Sequence, residues 1–339
     1  MTKLSILIPM YNSEHFIKRC LDSILSQKIP REFYEIIVFD DASIDSSKTI
    51  VEAYTKIYKN INIYSVQNSG AYVLRNKMLN MAKGKYVYLM DADDYIINEG
   101  LNDVLNIAIK QELDIIGFNC YIEHDNYDKN YSHLVFNETP QVQDGLSYLA
   151  NQRYMRHEIW WYIIKKDFLT QNHITFKEER YGSDVLFTVE TFLKAKRLIH
   201  APLMLYKYVK APNSSTTNRK RNHLLKLISC RVKMIVNLSE LINALNAITE
   251  QDKLIKQNLS FRRDLYVYMT ISDMLKVKID AKTLKNNILL FRKHNAYPLK
   301  DFLGREFPTT KNKIVTFIFS NITFLKTILF LLKFKKNLN

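Results

Sequence analysis

The chain has 339 residues, 47% hydrophobic and 24% charged, enough for one large domain or two of ordinary size, and this composition excludes a disordered chain. Its three cysteines, Cys20, Cys120 and Cys230, are odd in number and far apart, which excludes a disulfide framework and CxxC metal or redox motifs and suits a reducing compartment. The net charge of +15 is unevenly placed: residues 1–210 hold 25 Lys and Arg against 26 Asp and Glu, residues 211–339 hold 24 against 8, so a near-neutral module precedes a basic one that suits an anionic surface.

Leu4–Ile8 predicts a short buried strand closed by Pro9, and is too short for a signal peptide. Tyr11-Asn12-Ser13 reads as a loop with Ser13 as N-cap of a helix over Glu14–Gln27, whose Phe16, Ile17, Cys20, Leu21, Ile24 and Leu25 fall on one face. Glu35–Phe39 predicts a second strand that ends in acid, Asp40-Asp41. Asp45-Ser46-Ser47 opens a helix, Ile61–Val66 is a third strand, and Ala71–Ala82 is a helix. Gly84 turns the chain into a fourth strand, Tyr86–Met90, which stops at Asp91, Asp93 and Asp94. A buried strand cannot continue through that charge, because each ionised carboxylate needs a partner or a metal. Alternating strands and helices predict a parallel α/β sheet, in which ligands bind at the carboxyl ends of the strands. Three polar or acidic loops, after strands one, two and four, then converge on one edge. Hard oxygen ligands there suit Mg²⁺ or Mn²⁺ and hence a diphosphate, with an acidic turn and an Asp helix cap as the structural alternative.

Two other nucleotide sites are excluded. The seven glycines form neither GxGxxG nor GxxxxGK[ST], so no glycine-rich backbone cradles phosphates, and a divalent metal is the more natural counter-charge. The eight histidines show no ligand spacing.

Further along, Leu101–Lys110 predicts a helix and Asp114–Tyr121 a strand. Residues 122–143 read as a loop or β-excursion over the site. Trp160–Ile164 is strand-like, Lys166–Gln171 a short helix, and Asp184 sits in the first turn of an apolar helix, where a cap would also sit. Leu203–Tyr208 predicts a strand, and Pro212-Asn213-Ser214-Ser215 a boundary between domains over 1–215 and 216–339. Beyond it come basic amphipathic helices over His223–Leu245, Asp252–Lys278 and Lys282–Arg292. The tail, 311–339, carries an apolar run over Ile314–Leu332 interrupted by Asn321 and Lys326 and closed by lysines. That run is borderline for a span and fits a helix lying in an anionic headgroup plane, or one packed on the protein's own core.

Ser5–Asn12, Glu35–Asp45, Asn68-Ser69-Gly70 with Arg75-Asn76, and Ala82–Tyr86 running into Asp91-Ala92-Asp93-Asp94 together resemble a family 2 glycosyltransferase of the GT-A fold, over about residues 3–215. The resemblance implies an α/β Rossmann-like, mostly parallel sheet with flanking helices, and inverting transfer of a sugar from a nucleotide-diphosphate donor. It implies that Pro9, Tyr11 and Asn12 line the nucleotide pocket, that Asp40 or Asp41 accepts a hydrogen bond from the base, usually uracil, and that Arg75 lies beside the nucleotide. Asp91 and Asp93 match the DxD motif, with Asp93 on the metal and Asp91 on the ribose or metal-bound water. Asp184 matches the general base, preceded by Ser183 where the family commonly has an acid, with Glu178 and Glu179 as fallback carboxylates. Trp160 matches an aromatic position near the acceptor, with a core tryptophan as the equal alternative, and Lys207 and Lys210 match basic positions near the diphosphate.

These features predict a Mg²⁺- or Mn²⁺-dependent transferase on the cytoplasmic face of a membrane, extending a glycan or lipid-linked acceptor such as capsule or O-antigen. Alternatives are a sugar-phosphate nucleotidyltransferase, which should show a glycine-rich basic N-terminal loop that Pro9–Ser13 is not, a nucleic-acid-binding protein using the basic third, and an inactive scaffold that binds the donor without turning it over. The donor sugar, the acceptor and the oligomeric state have no signature in the sequence.

Overall fold

A computed structural model describes residues 1–67, 69–122, 140–177, 182–210, 219–300 and 310–334. The chain forms two compact units: Met1–Gly145 with His157–Thr217, and Leu146–Arg156 with Asn218–Asn339. The helical segment Leu146–Arg156 therefore groups with the second unit, although it lies within the first 215 residues. The expected loop over 122–143 lies mostly, and the Pro212–Ser215 boundary entirely, outside the described residues.

The first unit is an eight-stranded sheet in the order β3-β2-β1-β4-β7-β6-β8-β5. Its strands are β1 (Leu4–Met10), β2 (Tyr34–Asp40), β3 (Ile61–Ser65), β4 (Tyr86–Leu89), β5 (Tyr95–Ile96), β6 (Ile115–Ile122), β7 (Tyr162–Lys165) and β8 (Leu198–Tyr208). β3, β2, β1 and β4 run parallel, as do β6 and β8. β7 runs against β4 and β6, and β5 against β8, so the sheet is mixed, with the other six strands running one way, a mostly parallel sheet as expected. The helices among these strands are α1 (Ile17–Leu25), α2 (Ser47–Ile57), α3 (Ala71–Met81), α4 (Leu101–Lys110), α5 (Gly145–Asn151), α6 (Lys166–Gln171) and α7 (Ser183–Lys194). β1, β2 and β4 carry buried apolar side chains in continuous runs, as strands covered on both faces must. Burying each Leu or Ile of β1 contributes about 1.5–3 kcal/mol.

Several boundaries depart from the sequence reading. Pro9 lies inside β1, paired with Phe39 of β2, rather than ending it. Backbone groups alternate along the strand: Met10 O accepts from Asp41 N on the β2 side, and Leu7 O from Met90 N on the β4 side. Pro9 therefore turns its missing N–H toward β4, beyond the last pair Leu7↔Leu89, where no ladder bond is lost. Ser13 does not cap α1. Its carbonyl accepts from Phe16 N and Ile17 N in a turn that precedes the helix. β8 starts at Leu198, five residues before the expected Leu203. Trp160 and Trp161 precede β7 rather than belonging to it.

Gly84 is held against the start of β1. Its N–H donates to Ser5 Oγ (2.8 Å), and Ser5 Oγ donates to Glu35 Oε1 (2.7 Å). A Cβ at Gly84 would lie 2.5 Å from Ser5 N and 2.6 Å from the Leu4 carbonyl carbon, both rigid backbone. Gly84→Ala should therefore cost about 1–3 kcal/mol, read as a fall in denaturant midpoint without a change in slope. An unchanged midpoint would show that the turn can shift freely.

The second unit contains α8 (Arg221–Ala244), α9 (Glu250–Lys276), α10 (Ala281–Lys293), α11 (Thr310–Phe319) and α12 (Ile322–Phe334). Thr249 and Asp252 form a reciprocal capping box at the start of α9. Within this unit Asn258 Nδ2 donates to Leu149 O and Ala150 O, both at 2.9 Å, fixing the 146–156 segment to α9. Arg231 on α8 pairs with the buried Asp273 of α9 at 2.6 Å. The tail is two helices instead of one, bent by 90° at Ser320-Asn321. Asn321 Oδ1 accepts from Thr323 N (2.9 Å), so the polar residue that interrupts the run starts a new helix.

Candidate functional site

The carboxyl ends of β1, β2 and β4 meet at one edge of the sheet. The loops after β1 and β2 are stitched together by a short network. Asn12 N–H donates to Ser43 Oγ, and Asn12 Oδ1 accepts from Ile44 N, both at 3.0 Å. Ser13 N–H donates to Ser47 Oγ (2.6 Å) and Glu14 N–H to Asp45 Oδ2 (3.1 Å). Asn12 and Ala42 both have left-handed backbones, at φ 48° and 63°. Asn tolerates that conformation, whereas in Ala it stores strain of order 1–3 kcal/mol, a cost that concentrates at functional loops. Tyr11, at the start of the first of these loops, is half exposed, and Pro9, near the end of β1, is partly exposed.

Asp40 and Asp41 are both buried but differ in attachment. Asp40 Oδ1 accepts from Ser43 N (3.2 Å). Asp41 engages both oxygens, Oδ1 from Ser69 N (2.7 Å) and Oδ2 from Gly70 N (2.9 Å), closing the loop into α3. Gly70 adopts φ 87°, which favours glycine at this turn.

Beyond β4 the three carboxylates divide. Asp94 is fully buried and tied to the end of β8: Tyr206 Oη donates to its Oδ2 (2.6 Å) and Val209 N to its Oδ1 (2.7 Å). Burial, then the charges of Asp91 and Asp93, push the Asp94 carboxyl up. Asp93 is partly exposed, and burial, then the Asp91 charge, push it up to about 6. Asp91 is about a third exposed and pairs with the Nη2 of Arg75. One flank of α1 carries the whole turn. Arg19 Nη2 donates to Asp93 O (3.4 Å), Ser23 Oγ accepts from Ile96 N (3.1 Å), and Gln27, just past the helix, donates to Asn98 O (2.8 Å).

Arg75 is nearly buried, with its guanidinium 5.3 Å from the Tyr72 ring and 5.9 Å from the Phe176 ring. Its Nε is buried without a hydrogen-bond partner, so a donor remains uncommitted beside Asp91. Tyr72 Oη donates to Asp184 Oδ1 (3.0 Å). Asp184 thus sits in the first turn of α7, two residues after Gly182, whose left-handed φ of 85° starts the helix. Asn76 locks the facing segment, donating to Phe176 O (2.8 Å) and accepting from Phe176 N (2.9 Å). Phe176 stacks on Phe187 of α7 at 3.9 Å. An unbroken chain of contacts, Asp91–Arg75–Tyr72–Asp184, therefore joins the acidic turn to α7. Ser183, in place of an acid, is buried with its Oγ unpartnered and does not supply a second carboxylate. Glu178 and Glu179 lie outside the described residues.

Trp160 is 4% exposed and stacks on Tyr206 (4.7 Å) and Tyr208 (5.7 Å). Lys207 Nζ lies over the Tyr121 ring at 3.8 Å. Lys210, two residues after the bonded end of β8 at Tyr208, is exposed.

Sequence reasoning missed Tyr72, Tyr206 and the α1 flank. Tyr72 was findable, since it lies three residues before Arg75 on one helix and so shares its face. Tyr206 pairs with Asp94 across 112 residues and leaves no local signal.

No group of three or more His, Cys, Asp and Glu among the described residues is arranged to hold a metal by itself. The two carboxylates Asp91 and Asp93 nevertheless fit Mg²⁺ or Mn²⁺. Such an ion is commonly held by one or two carboxylates, with substrate phosphates and water completing the shell. The upward pressure on Asp93 from Asp91 is what a cation there would relieve.

Over 212 residues the chain is 35% identical to the poly(ribitol-phosphate) beta-glucosyltransferase of Bacillus spizizenii, covering 58% of this chain and 30% of that protein. It is 24% identical over 313 residues to the processive diacylglycerol beta-glycosyltransferase of Mycoplasma genitalium, covering 86% and 89%. The chain spans less than two thirds of the length of several curated relatives, 61% and 62% for the uncharacterized glycosyltransferases YibD of Escherichia coli and EpsJ of Bacillus subtilis. Among solved structures it matches residues 1–349 of Staphylococcus aureus TarS in complex with UDP-GlcNAc, with TM-score 0.61, 22% identity, and 87% and 88% of the two chains covered. That likeness carries the GT-A fold. Residues 5–176, half of the chain, match the family described as Glycosyl transferase family 2, and the chain belongs to that family.

Proposed function

We propose that the chain transfers a sugar, with inversion, from a nucleotide-diphospho-sugar, preferably a UDP-sugar, to a hydroxyl of a glycan or lipid-linked acceptor in the building of a surface polymer. The observation that carries this reading is the contact chain Asp91–Arg75–Tyr72–Asp184, which sets a partly exposed carboxylate and a buried arginine at one end, with Asp93 two residues on, and a lone held carboxylate at the other. Similarity to proteins named as glucosyl- and N-acetylglucosaminyl-transferases on poly(ribitol-phosphate) supports a phosphate-rich surface glycan as the acceptor class.

In this reading Pro9, Tyr11, Asn12 and Asp40 or Asp41 form the nucleoside side, and Arg75, paired with Asp91, lies beside the nucleotide. Asp93 and Asp91 hold Mg²⁺ or Mn²⁺, which when bound offsets charge on a diphosphate leaving group. Asp184 takes the proton of the acceptor hydroxyl, and the acceptor oxygen forms its bond to the anomeric carbon. The bond from that carbon to the diphosphate oxygen breaks, and the electron pair leaves with the nucleotide. Lys210 meets the diphosphate or the acceptor. Trp160, buried in its stack, supports the acceptor side through Tyr206 and Tyr208 rather than by direct contact.

A panel of UDP-, GDP- and dTDP-sugars with Mn²⁺, read by thermal shift and by release of nucleotide diphosphate, tests the reading. Stabilisation and hydrolysis with one nucleotide series is the expected result. No response to any donor would overturn it.

A further inference from the structure

The second unit leaves an apolar face uncovered at its last two described helices. Ile314, Phe317, Phe324, Phe330, Leu331 and Phe334 are each 43–64% exposed, although α11 and α12 are regular helices packed on the unit. Their anchoring is clear. Leu325 and Leu329, one turn apart, are buried, and α12 packs on α9 and α10. Phe319 lies 4.6 Å from Tyr268 of α9, and Ser320 Oγ donates to Leu299 O (3.1 Å). With that side taken, the aromatic side chains project away from the unit, paired with each other: Phe317 with Phe324 (5.5 Å) and Phe330 with Phe334 (5.9 Å). Lys326 and Lys333, two turns apart, flank the apolar face of α12, and Lys313 stands on the exposed face of α11 with Ile314 and Phe317. No Asp or Glu occurs between residues 310 and 334.

We propose that this face is a membrane-docking surface, which lies in the plane of a bilayer carrying anionic phospholipid. The aromatic and leucine side chains enter the headgroup boundary, and the three lysines meet lipid phosphates. Three features set the in-plane arrangement apart from a span. α12 has 13 residues and so is about 20 Å long, short of the roughly 30 Å hydrocarbon core. No single helix among the described residues is long and apolar enough to cross, and the α11–α12 pair bends by 90°. Leu325 and Leu329 are committed to the protein, so lipid can reach only the opposite side of α12. An all-lysine flank beside aromatics favours lipid over a second protein copy, which would face the same positive charge. This surface stands whether or not the first unit transfers a sugar.

Vesicle flotation of the full chain tests it, comparing phosphatidylcholine vesicles with vesicles that also contain phosphatidylglycerol. Flotation with the anionic vesicles, weakened by salt, is expected. The triple variant Lys313→Glu, Lys326→Glu, Lys333→Glu should bind at least about 100-fold more weakly, since each lysine near such a surface contributes roughly fivefold. Its lysines are exposed, so its fold should be intact, checked by circular dichroism. The variant Phe317→Ser, Phe330→Ser, Phe334→Ser should lose flotation even at low salt, and carbonate at high pH should release the bound wild type. No flotation with either vesicle would overturn the proposal, as would binding unchanged in both variants. Resistance to carbonate extraction would overturn the in-plane arrangement. A dimer that the Phe variant abolishes, without any vesicle binding, would assign the face to a second copy instead.

Discussion

Asp184→Asn is expected to lower the transfer rate by about 10²–10⁴-fold while leaving donor affinity within about twofold of wild type. Asparagine keeps the size of the side chain and an oxygen able to accept the Tyr72 hydroxyl, so α7 and the contact to α3 should stay in place. What disappears is the basic oxygen proposed to take the acceptor proton, equivalent to about 3–5 kcal/mol of barrier. The split is diagnostic: kcat falls, the Kd for UDP-sugar does not, and donor hydrolysis by water falls less than transfer to the acceptor. Ser183, buried and uncharged, offers no substitute base. If transfer persists at the wild-type rate, Asp184 is a helix-terminal residue and the base lies elsewhere.

Asp93→Ala should weaken Mn²⁺-supported donor binding by no less than the roughly 10–100-fold that loss of a metal's outer-shell partner costs. Metal-free stability should move the other way or not at all. The Asp93 carboxyl is pushed above its ordinary value, to about 6, by burial and the Asp91 charge. A carboxyl raised in the folded state favours folding while protonated, and that contribution is lost as pH rises through about 6. At pH 7.5 without metal, removing Asp93 therefore relieves crowding, and the thermal midpoint should hold or rise. In the wild type the same carboxyl must lose its proton to bind metal, so Mn²⁺-supported binding should weaken as pH falls below about 6. Calorimetric titration with Mn²⁺ and UDP-sugar reads both effects. Unchanged binding in Asp93→Ala would remove this residue from the metal.

The first half of the sheet was legible because its signals are local. β1, β2 and β4 are apolar runs that stop at polar or acidic residues, and those stops form the candidate site. The second half depends on pairings that the sequence cannot display. β5 is two residues long and exists because Tyr95 and Ile96 pair with Lys207 and Tyr206. β8 begins at Leu198 and runs through Pro202, a residue confined in sheets to edges, strand starts and bulges. The register jumps there, from Phe118↔Ala201 to Asn119↔Met204, and the bulge absorbs the proline. The direction of β7 follows from its pairing with β4 and β6, which are far away in sequence.

The acidic stop after β4 was legible as a candidate site, but its wiring was not. One carboxylate, Asp94, is given over to the fold by Tyr206 and Val209. Another, Asp91, is linked through Arg75 and Tyr72 to Asp184, so the distant carboxylate is part of one contact chain. That linkage depends on α3 presenting Tyr72 and Arg75 side by side, a helical-face relation visible in the spacing once Arg75 is given a role.

The edge formed by β1, β2 and β4 is expected to hold a nucleotide diphosphate through a divalent ion on Asp91 and Asp93. Titration of UDP into the wild-type protein, with Mn²⁺ and then with excess chelator, tests it most directly. Saturable one-to-one binding in Mn²⁺ that collapses on chelation is the predicted result. No binding in either condition, or equal binding in both, would contradict it.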